Sequence, residues 1–92
     1  MERKFDLGEV TITACAASAV GTEHFSELIN ALYRRHACGD WGDCGEIGKV
    51  INNAALRKGL RILSEYVIYG IRIWIITEAD RSATTVLLPE EY

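Results

Sequence analysis

Five residues able to bind a metal or move protons, His36, Cys38, Asp40, Asp43 and Cys44, fall within nine positions of one another. Zinc is the first chemistry such a cluster suggests. Zinc sites, however, draw on paired C-x2-4-C or H-x3-5-H units, and H-x-C-x5-C is neither. A fourth ligand would have to be Asp40, Asp43 or the distant His24. The expectation is therefore a loop with free thiols, without metal or other cofactor. A Cys–His nucleophilic pair is the second possibility, with Cys38 or Cys44 attacking and His36 or His24 as base. Cys38 follows a predicted helix, whose negative C-terminal dipole disfavours a thiolate; Cys44 precedes the next helix and is better placed. No third residue that would orient such a base is identifiable. Asp40, Asp43 and Glu46 could work as paired carboxylates, but aspartates between glycines are ordinary turn and cap residues, and Asp43 reads as an N-cap. No enzyme is expected.

Trp41, set between Gly39-Asp40 and Gly42-Asp43, is either a plug that pins this loop to the sheet or an exposed interaction anchor. The cost of exposing indole favours the plug. A second polar cluster, Glu78, Asp80 and Arg81, is expected to be solvated at a hairpin tip. If the chain works by binding, the predicted face gathers Asp40, Trp41 and Asp43 with Glu78, Asp80 and Arg81.

The elements that must position these residues are read from periodicity. Ile71, Ile73 and Ile75 alternate with Arg72, Trp74 and Ile76, so one face of a strand is all isoleucine and must be buried. A polar stretch from Glu78 to Ala83 joins it to a second β-branched run, Thr84 to Leu88. Arg61 to Tyr69 alternates likewise, and Gly70 turns it into the central strand, which gives an antiparallel meander ended by Pro89. Phe5 to Thr13 is a first strand, with Gly8 marking a bend. Ala14 to Val20 reads as a short helix stopped by Gly21. Thr22 caps a longer helix on which Phe25, Leu28, Ile29, Leu32 and His36 share one face. Glu46 to Lys58 is a third helix, with Ile47, Val50, Ile51, Ala54 and Ala55 expected on its buried side, Asn52 and Asn53 facing away, and Gly59 as the stop. The predicted architecture is α+β: one small domain over residues 1–92, β-α-α-α-β-β-β, an antiparallel sheet with helices packed on one face.

Composition narrows the function. Ninety-two residues support one core, and 49% hydrophobic with 25% charged residues is ordinary for a folded domain. A net charge of −3 disfavours phosphate-backbone binding as the main activity. A nucleic-acid accessory module using Arg34, Arg35, Lys49, Arg57 and Lys58 is the alternative. Three cysteines, an odd number, suit a reducing cytoplasm. The start, Met1-Glu2-Arg3-Lys4 with a later Ala17-Ser18-Ala19, has a superficial likeness to a secretory signal. Asp6, Glu9, Thr11 and Thr13 spoil that pattern, so export is not expected. No run approaches a membrane span, because Arg72 breaks the longest apolar stretch. The Trp74 face or an unpaired strand edge could support a homodimer.

The stretches Arg35-His36-Ala37-Cys38-Gly39-Asp40-Trp41-Gly42-Asp43 and Ile73-Trp74-Ile75-Ile76-Thr77-Glu78-Ala79-Asp80-Arg81-Ser82-Ala83-Thr84-Thr85-Val86-Leu87-Leu88-Pro89-Glu90-Glu91-Tyr92 carry a resemblance. They are similar to small uncharacterised proteins of bacterial plasmids, phages and integrative elements, some of which bear the label type I restriction endonuclease subunit M. The resemblance runs from Leu32 to Tyr92 and more loosely to Phe5-Asp6-Leu7-Gly8. After Asp43 the family continues with an acidic run, where this chain has Cys44-Gly45-Glu46-Ile47-Gly48. A methylase would need an Asn/Asp-Pro-Pro-Tyr/Phe run and about twice this length, and the chain has one proline. The resemblance implies a setting, mobile elements. In that setting a small acidic protein is expected to bind a host protein or defence complex stoichiometrically, as an anti-CRISPR or anti-restriction inhibitor.

Overall fold

Alternating β-branched residues build the sheet as their spacing predicts. The computed structural model describes residues 2–92, so Met1 of the signal-like start lies outside the described residues. The order is β1 (Glu9–Ile12), α1 (Ala14–Val20), α2 (Phe25–Asn30), α3 (Gly45–Lys58), β2 (Ile62–Ile68), β3 (Ile71–Thr77) and β4 (Ala83–Leu87). β2 and β3 pair antiparallel from Ile62↔Thr77 to Ile68↔Ile71, joined by Tyr69 and Gly70, both at positive φ (49° and 81°). A two-residue hairpin turn of this hand matches the twist of its strands. β3 and β4 pair antiparallel from Trp74↔Leu87 to Thr77↔Thr84.

The α+β architecture holds, but the sheet is mixed and not antiparallel throughout. Its order is β1-β4-β3-β2, and β1 runs parallel to β4 from Glu9↔Ala83 to Ile12↔Val86. The cause lies just before β1. Gly8, at φ 65°, comes so close to the β3–β4 connection that a Cβ there would lie 2.2 Å from the Ser82 carbonyl oxygen. Glu9 N–H donates to that carbonyl at 2.9 Å. β1 thus starts at the hairpin tip, as β4 does, and both run away from it. Alternation specifies which face of a strand is buried, not the direction of its neighbour.

One face of the sheet carries the core. Ile62, Tyr66, Ile68, Ile73, Ile75 and Val86 are buried against Ala16, Val20, Leu28 and Leu32 from the helices. Each large side chain fully withdrawn from water contributes about 1.5–3 kcal/mol. The expected isoleucine face is this one. The opposite face is mixed: Trp74 donates to Glu65 Oε1 at 2.7 Å and packs edge-on against Tyr92, beside buried Ile76 and Leu87. Thr13 caps α1 by accepting from Ala16 N–H at 3.1 Å, and Gly21 ends it. The second predicted helix is present with three hydrogen-bond registers, a tight turn at Thr22–His24, α2, then a wide π turn at Ala31–Arg35 and a tight turn at His36–Cys38. Leu28, Leu32 and His36 point inward from it, as their spacing requires. Among the described residues, no helix is long and apolar enough to cross a membrane.

The outer edge of β2 is not left open. Glu65 N–H donates to the Trp41 carbonyl at 3.2 Å, and Asp43 N–H donates to the Glu65 carbonyl at 2.7 Å. Gly42 therefore sits in a parallel bridge opposite Glu65, at φ 70°. A Cβ at Gly42 would lie 2.0 Å from the Glu65 carbonyl oxygen and 2.7 Å from the Tyr66 ring. Gly42→Ala combines a disfavoured φ with a backbone collision, and is expected to lower unfolding stability by about 2 kcal/mol or more. Urea denaturation of the purified variant against the parent measures this; a change below about 0.5 kcal/mol, the size of an ordinary surface substitution, would mean the bridge does not matter to stability.

Candidate functional site

His36 anchors a buried hydrogen-bonded chain. Its Nδ1 lies 2.6 Å from Ser64 Oγ and its Nε2 2.8 Å from Thr77 Oγ1. Thr77 Oγ1 lies 2.7 Å from Thr84 Oγ1, which donates to the Leu7 carbonyl at 2.7 Å. A carbonyl only accepts, so the proton positions follow in order. Thr84 donates to Leu7 and accepts from Thr77. Thr77, its proton committed to Thr84, accepts from His36 Nε2–H. Nδ1 then accepts from the Ser64 hydroxyl. His36 is a neutral imidazole with its proton on Nε2. Burial, and secondarily the positive charge of Arg81, push its pKa down to about 3. All of His36, Ser64, Thr77 and Thr84 are 0% exposed, so no substrate reaches this imidazole. The chain holds the helix to β2, β3 and β4.

The cysteines find other partners. Cys44 Sγ points at the Trp41 and Leu63 carbonyls, at 3.1 and 3.3 Å, and burial raises its pKa, away from a reactive thiolate. Cys38 Sγ points at the Tyr33 carbonyl at 3.8 Å. All three cysteines are free. Among the described residues, no three His, Cys, Asp or Glu side chains converge as a metal site would require.

The predicted interaction residues divide. Trp41, 3% exposed, is the plug: its indole N–H donates to Asn53 Oδ1 at 2.9 Å, and its ring stacks on Phe5 at 6.1 Å. Its place in an exposed binding face is thereby corrected, because the indole is consumed by the loop's own attachment. Asp40 accepts from Arg35 Nε at 2.8 Å and from Gly42 N–H at 3.2 Å, and its carbonyl takes the Tyr66 hydroxyl at 2.6 Å. The Arg35 hydrogen bond holds the Asp40 carboxyl below its usual pKa. Arg81 is also a tie. Its guanidinium donates to the Leu60 carbonyl at 2.7 Å and the Ala55 carbonyl at 3.2 Å, fastening the end of α3 to the hairpin tip. Glu78 lies 3.7 Å from Arg61, and Asp80 accepts from Ser82 N–H at 3.0 Å; the Ser82 side chain first, and this N–H second, hold the Asp80 carboxyl below its usual pKa. Asp43 and Asp80 are exposed. Among the described residues, no hydrogen bond or ion pair joins the loop set to the hairpin set. Phe5 lies between them, stacked on Trp41 and under Arg81 at 5.5 Å.

Of the basic residues, Arg35, Lys49 and Arg57 are engaged, whereas Arg34 and Lys58 are exposed and make no side-chain hydrogen bond or ion pair among the described residues. Arg35 pairs with Asp40 and covers the Tyr66 ring at 4.7 Å, Lys49 lies 3.9 Å from Glu46, and Arg57 donates to the Asn53 carbonyl at 3.2 Å.

The largest departure from expectation is the orientation of α3. Ile47, Val50 and Ile51, expected in the core, are 79%, 67% and 59% exposed. Asn52, expected to face away, is buried in their place, beside Ala55, which is buried as expected. The Asn52 amide explains it: Nδ2 donates to the Leu63 carbonyl at 2.6 Å and Oδ1 accepts from Leu63 N–H at 3.2 Å. That side chain occupies the edge of β2 as a neighbouring strand would, and Asn53 receives the Trp41 indole. A row of compact residues, Gly48, Asn52 and Ala55, permits this approach; a Cβ at Gly48 would lie 2.8 Å from Cys44 Cβ. Asn52 in that row and Asn53 beside it were the available signal, and their attachments turn an apolar stripe with i, i+3, i+4 spacing into the solvent. Ala54 continues the stripe, half-buried.

Comparison with protein-family models, curated proteins and solved structures finds no match.

Two variants check the structural roles. Trp41→Ala is expected to lower unfolding stability by about 3–5 kcal/mol in urea denaturation; an unchanged midpoint would return Trp41 to the surface. The pH dependence follows from His36. Above pH 6.5 the imidazole is neutral folded or unfolded. Below it, the unfolded chain takes up a proton that the folded chain refuses until about pH 3. Stability therefore falls as pH drops through that window, by about 5 kcal/mol at about 1.4 kcal/mol per pH unit. Urea midpoints between pH 7 and pH 4 should show the decline, and His36→Gln should flatten it. An equally steep decline in His36→Gln would assign the effect to carboxylates such as Asp40, which act in the same direction.

Proposed function

We propose that this protein acts by stoichiometric binding to another protein, and that the exposed stripe Ile47, Val50 and Ile51 on α3 is its docking face. The observation that carries the reading is the inverted helix: three β-branched aliphatic side chains on one surface row, each more than half exposed, on a rigid helix tied down by Asn52 and Arg81. Helix faces of this kind seat in hydrophobic grooves through their i, i+3 and i+4 residues. Asp43 and Asp80 supply acidic positions outside the stripe, and the net charge of −3 favours a basic partner surface. The setting implied by the resemblance makes a host defence complex the concrete target, inhibited in the cytoplasm in anti-CRISPR or anti-restriction fashion. That choice of target rests on the resemblance alone, by analogy.

Affinity capture from nuclease-treated host lysate, read by mass spectrometry, tests the reading when the parent is compared with Ile47→Ser/Ile51→Ser. Both positions are exposed, so the variant should keep its cooperative melt while recovery of a stoichiometric partner falls at least about tenfold, one to two hot-spot side chains' worth of affinity. A partner retained undiminished by the folded variant would remove α3 as the docking face.

A further inference from the structure

Without a target, the stripe has a second occupant of matching chemistry. We infer that α3 pairs with α3 of a second copy, antiparallel about a two-fold axis through Val50 and Ile51, and that this weak homodimer covers the stripe until a target displaces it. The inference rests on reading α3 as a protein-docking face.

Charge selects the occupant and its direction. α3 is acidic at its start, with Glu46 in its first turn and Asp43 just before it, and basic at its end, with Arg57 and Lys58 in the last turn. Helical spacing puts Glu46, Val50 and Arg57 along one flank of the stripe, and Ile47, Ile51, Ala54 and Lys58 along the other. Turning the helix end for end about Val50 and Ile51 keeps the apolar centre in place and exchanges the charges. Position 46 of one copy then falls opposite position 55 of the other, about 3 Å along the axis from Arg57 and on the same flank, so the Glu46 carboxylate reaches the Arg57 guanidinium, twice by symmetry, and the two helix dipoles oppose. A parallel arrangement would gather both copies of Glu46 at one end and both of Arg57 at the other, with the helix dipoles aligned. Such self-complementarity is what a two-fold interface requires. Asp43 and Lys58 belong to no ion pair among the described residues, and the Glu46–Lys49 pair is long at 3.9 Å. With three large apolar side chains per copy, the contact belongs to the small, weak class of interfaces.

Sedimentation velocity of the full chain from about 1 to about 500 μM spans that class of affinity. A concentration-dependent shift from monomer to dimer is expected, abolished by Ile51→Asp with the melt unchanged. Glu46→Arg and Arg57→Glu should each weaken the dimer about tenfold, and the double reversal should restore it. A chain that stays monomeric throughout, a dimer indifferent to Ile51→Asp, or charge reversals that fail to compensate would each overturn the inference. Lysate capture with dilute bait, where the dimer is dissociated, reads the other proposal separately. A monomeric chain that still captures a target through α3 loses self-pairing only, and a dimer whose α3 variants capture a target normally loses α3 as the target-docking face only.

Discussion

The free edge of β2 is the constraint on which the rest of the molecule depends. An edge strand presents alternate N–H and C=O groups that must be satisfied by water, by another strand or by something standing in for one. Here two stand-ins share the work. The Gly-Asp-Trp-Gly-Asp loop bridges Glu65 through its backbone, and Asn52 bridges Leu63 through its side-chain amide. Once Asn52 faces the strand, helix geometry dictates the opposite side: Ile47, Val50 and Ile51 face out. The apolar surface is thus a consequence of satisfying a sheet edge, which is occupied at Leu63 and Glu65 where another strand would otherwise add.

The buried chain from Ser64 through His36, Thr77 and Thr84 to Leu7 is a second organising feature. Every member is paired, and among the described residues no buried side-chain polar atom lacks a partner. Fully satisfied networks in a low-dielectric core specify one arrangement, because any slip of register leaves a donor or acceptor stranded. Three strands, the helix and the segment before β1 meet at this chain, so it fixes their relative positions. The same residues that look like a catalytic relay in isolation are here a sorting device for the core.

Polar residues at the hairpin tip and loop follow that pattern. Arg81, at positive φ, ties the carbonyls that end α3 to the β3–β4 connection, and Asp40 holds the loop through Arg35. These groups are engaged within the chain itself, whereas Ile47, Val50 and Ile51 stand more than half exposed on one row of α3.

Sequence by itself determined the local structure. The two-residue alternation of Ile71, Ile73 and Ile75, the four-residue recurrence of Leu28, Leu32 and His36, and the glycines at 21, 59 and 70 specify elements because each signal is read within one turn or one strand. It also held both roles for Trp41, with plug preferred on the cost of exposing indole. What only the tertiary structure decided is everything that depends on a distant partner: the parallel direction of β1, the pairing of His36 with three strands, and which of two faces of α3 lies inward. The helix carries an Ile/Val row and a Gly/Asn/Ala row, and hydrophobicity alone chooses the first for burial. The unpaired backbone of β2 chose the second, because the Asn52 amide pairs with both the N–H and the C=O of Leu63, which no aliphatic side chain can do.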